Sequence, residues 1–182
     1  MRRIPHPVEG GLLILLSCFF YACTSVLVKF LPEAADGCFI SFIRFVIGAA
    51  LSLAALTAFR RPLKIRDPLP WAMRGVFGAA SMVCAYLAIR MTSSGRAILL
   101  SDTYPVFVVL FGALFFGRKM RLGMLVPLFI CFGGVILVLF DATGYPLEGN
   151  LLGLASGVFG GLAVHFVKLS LERNSVYVVY LS

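Results

Sequence analysis

Charged residues are scarce in this sequence: they make up 13% of its 182 residues, while 60% are hydrophobic. Soluble globular domains carry about 25% charged residues, so an ordinary soluble domain is excluded. The charges present are mostly basic, 16 against 8 acidic, giving a net charge of +8. A soluble protein with this balance would favour nucleic acid. Here the basic residues lie in short segments beside apolar runs, as in membrane proteins, so no nucleic-acid partner is expected.

The motifs of catalysis and energy coupling are missing too. There is no GxxxxGK[ST] phosphate-binding loop, so no ATP motor is predicted. There is no HExxH, no GxSxG and no paired carboxylate motif, so the sequence does not predict an enzyme. The five cysteines are odd in number and form no CxxC pair, which is typical of small hydrophobic residues rather than of disulfides or a metal site. No cofactor is expected.

Long apolar runs take up most of the chain. A run of about 20 residues crosses a bilayer core of ~30 Å, and six such runs are present: 10–30, 38–59, 71–89, 96–116, 122–140 and 149–169. The first run is too long for a signal peptide and lacks a clear A-x-A cleavage site, so we interpret it as a retained span. The last residues begin polar and end apolar, like a seventh span that is cut off. The sequence predicts an all-α, polytopic membrane helix bundle with the lipid bilayer as its main partner.

The basic residues also indicate an orientation. With the N-terminus inside, the cytoplasmic segments carry ten lysines and arginines, and the outer segments carry three, Lys29, Arg90 and Arg96. Cytoplasmic loops of membrane proteins are enriched in these residues. We therefore predict a multi-pass protein of the cytoplasmic (inner or plasma) membrane with its N-terminus inside.

The two ends of the chain resemble each other. When the sequence is shifted by 139 positions, residues 7–29 align with residues 146–168 and ten of the 23 positions are identical. Roughly two or three matches are expected by chance in such a composition, so we interpret this as an internal repeat rather than two unrelated apolar helices. The two copies are five spans apart, an odd number, so they would be inverted in the membrane. Inverted repeats are a common plan of secondary transporters.

Two charged residues lie inside the apolar runs. Arg44 and Asp102 each follow six residues after the start of a span, about 9 Å from the outer face. A charge at this depth is costly and normally faces protein or water, so we predict that the two residues form an ion pair. Such a pair would be part of a substrate or proton site, or it would only fix helix packing. The sequence leaves both interpretations open.

The fourth run carries the most polar stretch within any span, residues 101–105. Pro105 cannot donate a hydrogen bond to the Ser101 carbonyl, so a kink is expected there. Broken backbone at membrane depth is tolerated where it lines a cavity or is buried in protein. We predict a kinked, cavity-lining helix with Asp102 and Tyr104 exposed to solute; the alternative is an ordinary proline kink.

The sixth run carries small residues at a helical spacing. Gly153, Gly157 and Gly161 recur every four residues and predict a helix-packing face. His165 continues this face one turn later. It is a candidate for coupling to protons, although packing is the more common role of a lone histidine in a span.

These features together resemble the EamA-type transporters of the drug/metabolite transporter superfamily. The matching stretches are Val-Leu-Val-Lys-Phe-Leu-Pro at 26–32, Ser-Phe-Ile-Arg-Phe at 41–45, Ala-Tyr-Leu-Ala-Ile-Arg-Met-Thr-Ser at 85–93, Phe-Gly-Arg-Lys at 116–119 and Gly-Gly-Val-Ile-Leu at 133–137. The family commonly has Gly-Glu where this chain has Gly117-Arg118. The resemblance implies ten-span carriers of two inverted five-span repeats, which move small organic solutes by alternating access.

On this resemblance, residues 8–142 are a first five-span repeat and residues 146–182 begin a second, inverted one. The chain would then be the N-terminal portion of a permease or exporter. The alternative is a truncated, non-transporting fragment or an assembly partner of such a carrier. Formation of homo-oligomers is a further possibility that the sequence does not decide. The candidate substrate-binding or coupling residues are Arg44, Asp102, Tyr104, Pro105 and His165.

Overall fold

The computed structural model describes residues 7–32, 36–58, 65–115, 122–139, 144–174 and 178–179. Its elements in these ranges are helices, with no strand, as the apolar runs predict. In chain order they are α1 Pro7–Phe30, α2 Gly37–Ala58, α3 Pro68–Met91, α4 Ser94–Ser101, α5 Tyr104–Leu114, α6 Leu122–Leu139 and α7 Leu147–Arg173.

Helix α7 lies at the centre of the packing. It contacts α3 along most of its length and also packs against α4 and α5. Phe77 of α3 stacks between two rings of α7, those of Phe159 and Phe166, with ring centroids 6.3 and 5.5 Å away. The face of α7 turned toward these helices consists mostly of glycine and serine, which allows the backbones to approach closely.

The fourth apolar run is broken in two. Helix α4 ends at Ser101 and α5 begins at Tyr104, so residues 102 and 103 form a turn between two half-helices. Pro105 lies in the first turn of α5, where its missing N–H costs no helical hydrogen bond. The interruption predicted from Pro105 is therefore observed, and it is a break rather than a bend.

Five helical stretches are long and apolar enough to cross a membrane: Gly10–Phe30, Gly37–Ala58, Pro68–Met91, Ser94–Leu114 and Leu147–Arg173. The sequence predicts six. The fifth predicted run, 122–140, corresponds to α6, Leu122–Leu139, within which the described apolar stretch is Leu128–Val138. The predicted seventh span and the landmark at 116–119 lie outside the described residues, apart from Val178 and Val179.

One end of the bundle is joined by two reciprocal caps. The Lys29 ammonium, at the end of α1, donates to the carbonyl oxygens of Ile89, Arg90 and Thr92 at 3.1, 3.2 and 2.6 Å. The Arg90 guanidinium, at the end of α3, donates in return to the carbonyls of Leu31 and Pro32 at 2.9 and 3.0 Å. The last carbonyls of a helix have no hydrogen-bond donor within that helix. Each cation therefore donates to free carbonyls at the end of the other helix. Helices α1 and α3 therefore end at the same face.

At the opposite face, the end of α7 meets the start of α3. Asn174 accepts hydrogen bonds from the backbone N–H groups of Arg66 and Asp67, and its amide donates to the Asp67 carbonyl. Close by, the indole of Trp71 donates to the Val178 carbonyl at 2.8 Å. Helix α7 thus runs antiparallel to α3, and so in the opposite direction to α1.

Candidate functional site

Arg44 lies on α2 and turns its side chain toward α3. Its Nη1 donates to the hydroxyl oxygen of Tyr86, and its guanidinium carbon lies 5.8 Å from the centre of the same ring. Tyr86 is almost fully buried, with 2% of its surface exposed. A buried tyrosine hydroxyl needs a hydrogen-bond partner, and a guanidinium in an apolar span needs an acceptor and a polarisable face. Each residue meets the other's requirement.

Two further polar groups share this region. The Tyr21 hydroxyl, on α1, interacts electrostatically with Asp102, Tyr86 and Arg44. The Asp102 side chain is exposed, and its backbone N–H caps α4 by donating to the Ile98 carbonyl at 2.7 Å. We call Tyr21, Arg44, Tyr86 and Asp102 the polar cluster. It gathers side chains from α1, α2, α3 and the α4–α5 break.

The predicted ion pair between Arg44 and Asp102 is not formed. Both residues lie in the described part of the chain, and no carboxylate oxygen of Asp102 is within 4.0 Å of the guanidinium. Tyr86 takes the place of the carboxylate as the partner of Arg44. The Asp102 side chain lies at the turn after α4 and stays exposed. One fixed cation and one accessible carboxylate therefore face the same region without neutralising each other directly.

The break itself exposes two more candidate residues. Tyr104 is 41% exposed, and Pro105 is exposed in the turn that starts α5. The Thr103 hydroxyl and the Thr103 N–H both donate to the Leu100 carbonyl, at 2.6 and 3.3 Å, which holds the turn in shape. Asp102 and Tyr104 thus flank the turn with exposed side chains; their exposure to solute stays a prediction.

Helix α7 supports the break with small residues. A β-carbon built on Gly157 would lie 2.6 Å from the Thr103 hydroxyl oxygen and 3.2 Å from the carbonyl oxygens of Leu100 and Ser101. Such contacts are far below van der Waals distance, so only glycine fits here without a shift. Beta-carbons on Gly153 and Gly161 would meet the neighbouring half-helices at 2.9 and 2.7 Å. The three predicted packing glycines therefore all face α4 and α5.

Three serines join the same region to α3. The Ser156 hydroxyl of α7 lies 2.7 Å from that of Ser101, and Ser81 donates to the Ser156 carbonyl at 2.8 Å. Among the described side chains, every buried nitrogen or oxygen has a hydrogen-bond partner. This serine network fixes the first half-helix to α3 and α7.

His165 is buried and bonded to α5. Its Nε2 lies 2.8 Å from the Val108 carbonyl oxygen, and 7% of its surface is exposed. The contact joins α7 to the second half-helix. The structure does not place His165 in the polar cluster. Arg44 is bonded to Tyr86, and Asp102, Tyr104 and Pro105 lie at the α4–α5 break.

Sequence reasoning missed Tyr21 and Tyr86. Each is the single tyrosine of its apolar run, and Tyr86 lies in the stretch 85–93 that resembles the family. The signal that could have found Tyr86 is its need for a hydrogen-bond partner. A tyrosine in one span and an arginine at similar depth in the neighbouring span can bond to each other. Chemically, the cluster offers one cation, one carboxylate and two phenol groups between apolar walls. These four side chains include no nucleophile–base pair.

The fold and the site together define a multi-pass integral membrane protein, in which polar groups gather at a broken helix, as in membrane transporters. The sequence model of the EamA-like transporter family matches residues 8–140. This match covers most of the chain, so the chain belongs to that family, and the resemblance stated from its motifs is confirmed.

Relatives of the chain carry transporter names. The chain is 28% identical over 175 residues to the pseudopaline exporter CntI of Pseudomonas aeruginosa, covering 94% of the chain and 61% of that relative. It is 29% identical over 141 residues to the solute carrier family 35 member G1 of Mus musculus, covering 75% of the chain and 38% of that relative.

An uncharacterized transporter of Sinorhizobium is 31% identical over 132 residues, covering 69% of the chain and 94% of that relative. The chain thus spans about three fifths of the Pseudomonas exporter but nearly all of the Sinorhizobium protein. No solved structure matches the chain.

Proposed function

We propose that this chain forms part of a secondary transporter that moves small organic solutes across the cytoplasmic membrane by alternating access. One relative is named as an exporter, which favours export as the direction. The observation that carries the proposal is the helix break at residues 102–103, because it exposes the Asp102 carboxylate within a membrane span. Transporters commonly place their solute sites at such discontinuous helices.

The residues of the site have distinct proposed roles. Asp102 binds a positively charged or hydrogen-bond-donating part of the solute, because its carboxylate is exposed and unpaired with Arg44. Arg44 supplies a fixed positive charge, and Tyr86 holds its guanidinium in place. Tyr104 offers an exposed ring beside the turn. His165 is a positioning residue of α5 in this scheme.

The helix directions support alternating access between inverted halves. Helix α7 repeats the sequence of α1 and runs in the opposite direction to it, as an inverted repeat requires. Rocking of one five-span unit against a second would open the polar cluster to each face in turn. In this proposal α7 is the first span of the second unit, and it packs against α3, α4 and α5 of the first.

Transport by the purified chain in proteoliposomes tests the proposal. Vesicles are loaded with a panel of amino acids, nucleosides and quaternary ammonium cations, and efflux is measured by mass spectrometry. We expect efflux of at least one class, reduced about tenfold or more by Asp102→Asn and by Arg44→Gln, since each removes a charge-assisted contact.

Two substitutions of the same chemistry serve as controls. Asp67→Asn and Arg173→Gln change a carboxylate and a guanidinium that pair only weakly, 3.9 Å apart, at the end of the bundle. Both controls should transport like wild type. Equal efflux by all four variants would leave the polar cluster a purely structural feature.

The second candidate is an assembly partner that does not transport alone. Only 11% of the α1 span is buried. The positions of α1 that correspond to the buried Ser156, Gly157 and Gly161 of α7 are Ser17, Cys18 and Ala22, and all three are exposed. No efflux of any probe, combined with oxidative crosslinking of two chains through Cys18, would favour this candidate over the carrier.

A further inference from the structure

The reciprocal caps of α1 and α3 lie between the polar cluster and the face at which both helices end. Lys29 follows Tyr21 by eight residues on α1, which is about 12 Å along a helix axis. Arg90 follows Tyr86 by four residues on α3, which is about 6 Å. The caps therefore join the two helices just beyond the cluster, on the side predicted to be outer.

An apolar layer separates the caps from the cluster. Val28, next to Lys29 on α1, is 4% exposed. It packs in a buried group with residues of α3 and α4, namely Tyr86, Ala88, Ile89 and Ala97. Because Val28 fills the space between α1 and α3, a polar solute can pass between these two helices only if α1 moves away from α3.

The bonds that hold α1 on α3 are ones that water can replace. The Lys29 side chain is exposed, and so are its bond to the Arg90 carbonyl and the bonds from Arg90 to the carbonyls of Leu31 and Pro32. Exposed hydrogen bonds of this kind exchange with water at little net cost. Breaking the caps therefore leaves both cations and the helix ends hydrated.

The contact between α7 and α3 has a different character. Only 11% of the α1 span is buried, against 33% of the α7 span. Helix α7 meets α3 through stacked aromatic rings, and Ser81 of α3 donates to the Ser156 carbonyl of α7. Separation of α7 from α3 would break this packing, whereas separation of α1 from α3 breaks mainly the caps and the contacts of Val28. Helix α1 is the one that leaves α3 more easily.

We propose that the two caps and Val28 form a gate at the outer end of the solute path. The gate is closed when α1 contacts α3, as in this structure, and it opens when α1 moves away. Lys29 and Arg90 are positioning residues, since they act on α1 rather than on the solute. The inference rests on the alternating access proposed above and names the contact that closes one of its two sides.

Cysteine labelling at position 102 measures the gate. Asp102→Cys, in a chain whose native cysteines are replaced, is labelled with a membrane-impermeant maleimide from each side of oriented vesicles. The readout is the ratio of the outer to the inner labelling rate. Lys29→Met removes three bonds of the caps, so we expect the ratio to rise about tenfold or more. Lys29→Arg keeps a cation that can donate to the same carbonyls, and its ratio should stay close to that of wild type.

Lys168→Met is the matched control, because Lys168 is the sequence copy of Lys29 and is exposed on α7. Its ratio should not change. Gly48→Cys in the Lys29→Met chain detects loss of structure, since a residue in lipid stays unlabelled while the bundle is intact. If Gly48→Cys becomes labelled there, Arg90→Gln decides the question, because it removes only the second cap and should also raise the ratio.

An unchanged ratio in both Lys29→Met and Arg90→Gln would overturn the gate, and so would an equal rise in Lys168→Met. Failure of the proposed transport gives a different result. Position 102 would be labelled from the inner side alone in the otherwise wild-type chain, and outer labelling that then appears in Lys29→Met would still support the gate. Labelling from both sides with an unchanged ratio in the variants would keep the transport proposal without the gate.

Discussion

At the scale of single residues, three cations in the described part of the chain donate hydrogen bonds to backbone oxygens at helix ends. Lys29 bonds three carbonyls of the α3 terminus, Arg90 bonds the segment after α1, and Arg96 bonds a carbonyl of α6. Few acidic residues are available in the sequence, and helix ends in a membrane protein expose carbonyls that need donors. Basic residues at span ends therefore have a structural role beyond orientation.

Lys29 should be important for stability, whereas its sequence copy Lys168 should not. Lys29→Met leaves three carbonyls without their cationic donor, so we expect a loss of about 1–2 kcal/mol in the free energy of unfolding. Lys168 is exposed with no such bonds, so Lys168→Met should change the free energy by less than about 0.5 kcal/mol. Denaturant unfolding followed by the fluorescence of Trp71, the single tryptophan, measures both. Equal effects of the two variants would contradict the assigned role of the cap.

The charged members of the candidate site could be found from the sequence, but their pairing could not. Arg44 and Asp102 stand out because charges are rare in apolar runs. Which partner a guanidinium takes depends on how α2 and α3 are rotated about their axes, and hydropathy carries no such information for spans that are apolar on all sides. In the structure, Arg44 donates its hydrogen bond to Tyr86 rather than to Asp102.

At the scale of helices, α7 and the broken span form one packed unit. The glycines of α7 meet both half-helices, and the Ser156 hydroxyl is bonded to the last residue of α4. In lipid, helix association depends on close packing and hydrogen bonds, because hydrocarbon tails are as apolar as leucine. A break in a helix at membrane depth leaves backbone groups that must be buried in protein, and α7 packs against them.

Gly157→Ala should destabilise the bundle by about 1–3 kcal/mol, because the added methyl group overlaps the Thr103 hydroxyl and two backbone oxygens. Gly78→Ala is the matched control on α3. A β-carbon there has no atom within 4 Å, so the change should be neutral or stabilising by up to about 1 kcal/mol. The same unfolding measurement compares the two variants. A Gly157→Ala chain as stable as wild type would show that α7 can move away from the break.

The elements could be predicted to different degrees. Composition and run length are enough for an all-α membrane protein, and Pro105 marks the break because a proline removes a helical hydrogen bond. Helix α6, Leu122–Leu139, is a single helix over nearly the whole predicted run 122–140. The central position of α7 follows from three-dimensional packing and is only hinted at by its glycines.

At the scale of the whole molecule, the direction of α7 relative to α1 connects fold and function. Helices α1 and α7, which align at a shift of 139 positions, run in opposite directions, as the predicted inverted repeat requires. The chain spans about three fifths of the Pseudomonas exporter, so the transport cycle of this chain stays a proposal. The central claim of the proposed transport cycle is that the break near Asp102 opens alternately to each side of the membrane.

Cysteine accessibility at position 102 tests this claim most directly. The five native cysteines are all free and are first replaced by alanine or serine. Asp36→Cys and Asp67→Cys mark the two faces, predicted to be outer and inner, and Gly48→Cys on an exposed face of α2 is the control for a residue in lipid. Each variant is labelled in oriented vesicles with a membrane-impermeant maleimide from one side at a time.

The account predicts that Asp102→Cys is labelled from both sides, while Asp36→Cys and Asp67→Cys are each labelled from one side and Gly48→Cys from neither. Labelling of position 102 from a single side, or from neither, would contradict alternating access through the helix break.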